Sequence, residues 1–160
     1  MQTDRQFLTQ TQFSRRRLLG MGLGGAVMIT TRPLSAAADQ ADLEAARQSL
    51  FGARPVQSGR VSLKLPPIAE NGYSVPLTVG VDSPMSPEDY IKRIAILSPR
   101  NPVALISTFE LGPANGKAEV STRVRLGGTQ SLQAIAEHSD GTLWSGEMET
   151  VVTLAACIVL

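Results

Sequence analysis

From residue 60 onward, apolar and polar positions alternate along much of the chain. Val61, Leu63 and Leu65 are interleaved with Arg60, Ser62 and Lys64, and Tyr73, Val75, Leu77, Val79 and Val81 repeat the alternation. A period of two sends successive side chains to opposite faces, so each run predicts a strand with one buried face. Pro76 lacks an N–H to give to a ladder, which predicts an edge position for its strand. Further strands are expected over 90–97, 103–111, 118–126, 131–136 and 143–154, about seven in all. Asn71-Gly72, Asn115-Gly116 and Asp140-Gly141 are predicted turns, because each supplies residues tolerant of positive φ. Ahead of the strands, Leu43, Ala46, Leu50 and Phe51 share one face at helical spacing. A helix is therefore expected over 39–51, with Asp39 or Asp42 capping its free N–H groups and Gly52 and Pro55 ending it. Together the elements predict an all-β sandwich or barrel of antiparallel strands with a short N-terminal helix.

The first 38 residues follow a different pattern. Ser14-Arg15-Arg16-Arg17-Leu18-Leu19 matches a twin-arginine export signal, with the arginine pair Arg15 and Arg16 ahead of an apolar run. That run, 18–29, is diluted by four glycines and is too short to span a bilayer as a permanent helix. Pro33 interrupts it, and Ser35-Ala36-Ala37-Ala38 supplies the small residues a signal peptidase needs. Cleavage is expected after Ala38, with the mature chain exported to the periplasm and holding no stable membrane anchor.

Charge follows the same division. Through Ala38 there are five arginines and one acid; the remainder has ten basic and thirteen acidic residues, a net charge of −3. A mildly acidic body lacks the electrostatic footprint of a nucleic-acid binder. Aromatic residues, at 4%, are too few for a base-stacking platform.

Candidate chemistry is sparse. No glycine-rich phosphate loop precedes a helix, and no cluster of His, Cys and acids has metal-ligand spacing, so neither a nucleotide nor a metal cofactor is expected. His138 is the only histidine. Its place at a strand end beside a turn suits a polar residue at a sheet margin better than a catalytic base. Glu147 and Glu149 flank Met148 and read as a solvated strand face. Cys157 is the only cysteine, three residues from the C-terminus, so no intrachain disulfide can form. An unperturbed thiol, with a pKa near 8.5, is a few per cent thiolate at neutral pH, enough to act as a nucleophile. The same residue also reads as a small apolar side chain in a terminal strand, since Val151, Val152, Leu154, Ile158, Val159 and Leu160 are all apolar. Cys157-Ile158-Val159-Leu160 fits a prenylation pattern too, but an export signal leads away from cytosolic prenyltransferases.

Several ordered motifs resemble the SoxY family of sulfur-oxidation carrier proteins. They are Ile68-Ala69-Glu70-Asn71-Gly72, Val75-Pro76-Leu77-Thr78-Val79 and Asp82-Ser83-Pro84-Met85; the stretch 113–126 beginning Pro113-Ala114-Asn115-Gly116; and Ala136-Glu137 followed by Ser139-Asp140-Gly141-Thr142-Leu143-Trp144. The resemblance implies an immunoglobulin-like β-sandwich paired with a SoxZ-like subunit as a heterodimer. It further implies that a C-terminal cysteine, here Cys157, carries sulfur intermediates covalently between periplasmic sulfur-oxidation enzymes, as in thiosulfate oxidation, and that the protein is not itself an enzyme. The family's arm reads Gly-Gly-Cys-Gly-Gly. Here Ala155 and Ala156 precede the cysteine and Ile158-Val159-Leu160 follow it, resembling a SoxY-related subgroup with an Ala-Ala-Cys-Ile tip. Alanine and β-branched residues restrict a backbone that glycine leaves free. The expected organisation is a signal at 1–38, a sandwich domain at 39–154 and a cysteine-bearing arm at 155–160. The alternative function is an interaction module with a structural cysteine.

Overall fold

A computed structural model describes residues 40–156. The export signal with Arg15 and Arg16, the cleavage site after Ala38, and Cys157 and Ile158 of the arm lie outside the described residues.

The helix α1 spans Gln40–Phe51, with Asp42 in its first turn. Gly52 ends it in the left-handed region at φ 68° and donates its N–H to the Gln48 carbonyl at 2.8 Å. A glycine enters that region without steric cost. Nine strands follow among the described residues: β1 (Val56–Ser58), β2 (Val61–Lys64), β3 (Ile68–Ala69), β4 (Val75–Val81), β5 (Ile91–Leu97), β6 (Leu105–Glu110), β7 (Glu119–Val124), β8 (Gln130–His138) and β9 (Leu143–Val152).

They form two sheets, the immunoglobulin-like sandwich that was expected. One has the order β1-β9-β8-β5-β6, with β3 also paired to β9; the other is β2-β4-β7. All seven segments expected as strands become strands, and their pairings with one another are antiparallel. The two added strands, β1 and β3, each pair parallel to β9, one at either end of it. With two or three residues apiece they are too short to show a period.

The pattern of burial gives three layers. Ile94 and Ile96 of β5 and Leu132, Ala134 and Ala136 of β8 face Leu63, Val75, Leu77, Val79 and Val124 of the smaller sheet. On the other side of the larger sheet, Ala95, Leu97, Ile135 and Leu143 pack beneath Phe51, Leu50, Ala46 and Leu43 of α1. The centres of β5 and β8 are thus covered on both faces, which is why Ile94-Ala95-Ile96-Leu97 and Ala134-Ile135-Ala136 read as continuous apolar runs. Arg54 ties the helix end down, donating to the Phe51 carbonyl and to Glu137 at 2.8 Å each.

Pro76 is a correction. Its strand β4 is central in its sheet, not at the edge. Pairing with β2 stops at Lys64 opposite Thr78, however, so at Pro76 only β7 is paired alongside. The proline therefore takes nothing from a two-sided ladder.

Candidate functional site

The site is built around the point where the chain leaves the sandwich toward Cys157. β9 ends at Val152, whose N–H donates to Thr129 Oγ1 at 3.0 Å. Thr153 then donates its N–H to the Ala69 carbonyl at 3.1 Å and its hydroxyl to the Glu70 carbonyl at 2.5 Å. The loop around β3 is anchored below by Thr150, fully buried, which donates to the Pro66 carbonyl at 2.7 Å.

Beyond Thr153 the backbone enters a relay of hydrogen bonds. The Gly72 N–H donates to the Leu154 carbonyl at 2.7 Å, the Leu126 N–H to the Gly72 carbonyl at 2.8 Å, and the Ala156 N–H to the Leu126 carbonyl at 3.1 Å. Gly72 thus stands between the departing chain and the segment after β7. The Asn71-Gly72 turn is here a correction to its expected cause. Gly116 and Gly141 adopt positive φ as the turn dipeptides predict, but Gly72 does not. What calls for glycine is proximity: a Cβ would lie 2.2 Å from the Leu126 carbonyl oxygen and 2.9 Å from the Ala156 nitrogen.

Leu126 is itself held by a buried polar group that sequence reading did not single out. Asn101 donates from Nδ2 to the Arg125 carbonyl at 2.9 Å and accepts from the Gly127 N–H at 3.0 Å. Ser98 and Gln130 extend this support, with a 2.5 Å hydrogen bond between their side chains and a second from the Asn101 N–H to Ser98 Oγ at 3.1 Å. Ser98, Asn101 and Gln130 are all buried. The signal was a polar Asn between two prolines, which also fits an exposed loop.

Of the predicted arm residues, Ala155 is exposed and Ala156 is buried at 5% exposure, the last residue before Cys157. Four apolar side chains stand out to solvent near this exit. Ile68 and Val151 are register partners of β3 and β9, Leu154 is 61% exposed, and Tyr73 follows Gly72. At the other end of the smaller sheet, a groove of about 560 Å³ is lined by Arg60, Ser62, Asp82, Lys117 and Glu119 among others, a balance of cations and anions.

His138 does not belong to this site. At the end of β8 it is buried with Nε2 2.6 Å from Asp89 Oδ1 and Nδ1 3.3 Å from Asp140 Oδ1, joining the 82–90 loop to the β8–β9 turn. Asp140 also accepts from the Thr142 hydroxyl at 2.7 Å and N–H at 2.8 Å. The Thr142 hydroxyl, then its N–H, and then the charge of His138 hold the Asp140 carboxyl below the usual carboxylate range. Glu147 and Glu149 are exposed on β9, the first accepting from Gln133 Nε2 at 2.7 Å. Among the described residues no group of three or more His, Cys, Asp or Glu could hold a metal ion, and no helix is long and apolar enough to cross a membrane.

Fold and site together define an immunoglobulin-like β-sandwich whose last strand runs on into a segment held to the body by backbone hydrogen bonds. The family model described as sulfur oxidation protein SoxY matches residues 47–157, and the chain belongs to that family. Among solved structures, the sulfur carrier protein SoxY from Chlorobium limicola f thiosulfatophilum is 32% identical, with a TM-score of 0.60 over 71% of this chain and 98% of that one. A superoxide reductase (neelaredoxin) from Ignicoccus hospitalis is 20% identical, with a TM-score of 0.52 over 59% of this chain and 80% of that one. A putative superoxide reductase from Thermotoga maritima is 18% identical at TM-score 0.51, covering 65% and 96% respectively. The two reductases share the fold alone. No curated protein matches the chain. Family membership assigns the protein to sulfur oxidation as a carrier and not as an enzyme.

Proposed function

We propose that the protein is a periplasmic carrier that holds sulfur intermediates covalently on Cys157 while partner sulfur-oxidation enzymes act on them. The observation that carries this reading is that the family match extends through residue 157, the only cysteine of the chain. In loading, the Cys157 thiol first loses its proton to solvent. The thiolate then attacks an electrophilic sulfur of a donor, and an S–S bond forms as the donor's leaving group departs with the bonding electron pair. The body would pair with a SoxZ-like subunit as a heterodimer, and the protein would reach the periplasm through its Arg15-Arg16 signal, cut after Ala38.

The test is the intact mass of the native protein, purified from its own periplasm without reductant and measured again after reduction. The expected result is a mature chain starting at Asp39 with a reducible adduct mapped to Cys157. An unmodified mass together with a thiol inert to alkylation would overturn the carrier reading.

A second reading, an interaction module with a structural cysteine, is favoured by the exposed apolar side chains of Ile68, Tyr73, Val151 and Leu154. Side chains of this kind grouped on a surface suit a protein interface. Under that reading Cys157 resists alkylation in the folded protein.

A further inference from the structure

The smaller sheet buries one face only, and register fixes what the other face presents to solvent. Ser62 lies opposite Gly80 and Gly80 opposite Glu119; Lys64 lies opposite Thr78 and Thr78 opposite Ser121; Pro76 lies opposite Arg123. Residues paired across strands share a face, and the intervening Leu63, Leu77, Val79 and Val124 point into the core. The middle strand β4 therefore adds only Pro76, Thr78 and Gly80 to the outer face, and longer side chains stand at its rim. The result is a hollow surface. A groove of about 560 Å³ at one end is lined by Arg60, Gly80, Asp82, Lys117 and Glu119 among others, and one of about 310 Å³ at the other by Pro76, Thr78, Ser121 and Arg123 among others.

We infer that the outer face of the smaller sheet is a docking surface for an acidic face of a partner protein. The inference rests on the carrier reading, since a carrier docks to the enzymes that act on its cargo.

Charge identifies the occupant. Four cations, Arg60, Lys64, Lys117 and Arg123, stand against two acids, Asp82 and Glu119. Among the described residues none of the six is in an ion pair. The chain from Asp39 onward carries a net charge of −3, so this face is opposite in sign to the molecule that bears it. Arg60 is set in place before any partner arrives. Its guanidinium carbon lies 4.7 Å from the centre of the Trp144 ring. A cation stacked on an aromatic has less rotamer freedom left to lose on binding.

Size fits a brief contact. The face measures about 20 Å along the strands and about 10 Å across them. Contacts this small are typical of transient encounters, and complementary charge raises the rate of meeting more than the lifetime of the complex. A carrier that must leave each enzyme needs that balance. Symmetric pairing with a second copy is disfavoured, because it would oppose two net-positive faces.

The test titrates the mature full chain with poly-L-glutamate as the acidic probe and follows amide chemical shifts. Shifts should move in β2, β4 and β7, and affinity should fall at least ~tenfold between ~50 and ~500 mM salt. Lys64→Glu combined with Arg123→Glu should weaken binding at least ~tenfold, whereas Arg100→Glu, exposed but outside the face, should change it less than ~twofold. Carbodiimide, which joins a lysine amine to a carboxylate as an amide, is then applied to the protein in its own periplasm. Lys64 or Lys117 should become linked to an Asp or Glu of a different protein. Shifts spread beyond the smaller sheet, or unchanged affinity in the double variant, would overturn the docking face. So would cross-links from these lysines to a second copy alone or to nothing. Phosphatidylglycerol vesicles that bind native protein but not the double variant, without cross-links to another protein, would assign the face to a membrane and overturn it as well. The carrier reading is judged separately, on whether Cys157 of native protein bears an adduct.

Discussion

Asn101 brackets Leu126: its carboxamide donates to the carbonyl of the residue before and accepts from the N–H of the residue after. Both backbone groups would otherwise need another partner beside a buried side chain. Replacing Asn101 with alanine is expected to destabilise the fold by ~1–3 kcal/mol, the usual penalty for orphaning such groups. Amide exchange at Leu126 and Gly127 should rise before the rest of the sheet loses protection. Urea unfolding combined with hydrogen exchange measures both, and a variant as stable as native protein with unchanged Leu126 exchange would show that the bracket is dispensable.

The core has a clear focus in Ile94, fully buried between the two sheets. Ile94→Ala removes side-chain atoms from a packed layer and is expected to cost ~2–5 kcal/mol. Lys64→Ala, on the solvent face of β2, should stay within about 0.5 kcal/mol of native stability. Equal midpoints for the two variants in urea would contradict the layer assignment.

Much of this architecture could be read from residue order, and what could not has identifiable causes. Alternation located β2 and β4, apolar segments between turn signals located the other five long strands, and Gly52 marked the helix end. β1 and β3 escaped because their stability comes from parallel pairing with β9, some eighty residues away, and not from a local period. The helix was legible, but not that it roofs the second face of the larger sheet; only the unbroken apolar run of β5 carried that information. Cys157 stood out because it is chemically distinctive. Leu126 and Asn101 did not, and Gly72 was legible only as a turn glycine, since these residues act through backbone proximity and a buried amide that spacing alone cannot reveal.

A pH dependence follows from Asp140. Its carboxyl titrates below its unfolded value because the folded chain supplies the Thr142 hydroxyl, the Thr142 N–H and His138. A depressed carboxylate contributes stability that is fully present above the unfolded pKa and disappears as pH falls through the folded one. Asp140→Asn should therefore be less stable than native protein at neutral pH, with the gap closing below about pH 4. The side chain is mostly exposed, so the gap is expected to be small and to shrink in high salt. Thermal melts of both proteins from pH 7 to pH 2 measure it; a gap that widens in acid would reverse the sign.

Gly146 and Gly112 form a matched pair that separates close approach from chain freedom. In the middle of β9, a Cβ on Gly146 would lie 2.1 Å from the Val61 carbonyl oxygen, where β2 of the smaller sheet passes against the larger one. Backbone cannot retreat there without parting the sheets, so Gly146→Ala is expected to destabilise by at least ~1–3 kcal/mol, as overpacking does. Gly112 has extended backbone at φ −158° and nothing within 4 Å of a new Cβ. There alanine only restricts the unfolded chain, and Gly112→Ala should stabilise by ~0.4–1 kcal/mol. Urea titration of both variants, with m-values compared to native, reads the two signs directly. Opposite signs would tie Gly146 to the junction of the sheets, whereas a stabilising Gly146→Ala would mean that β2 and β9 do not approach as closely as described.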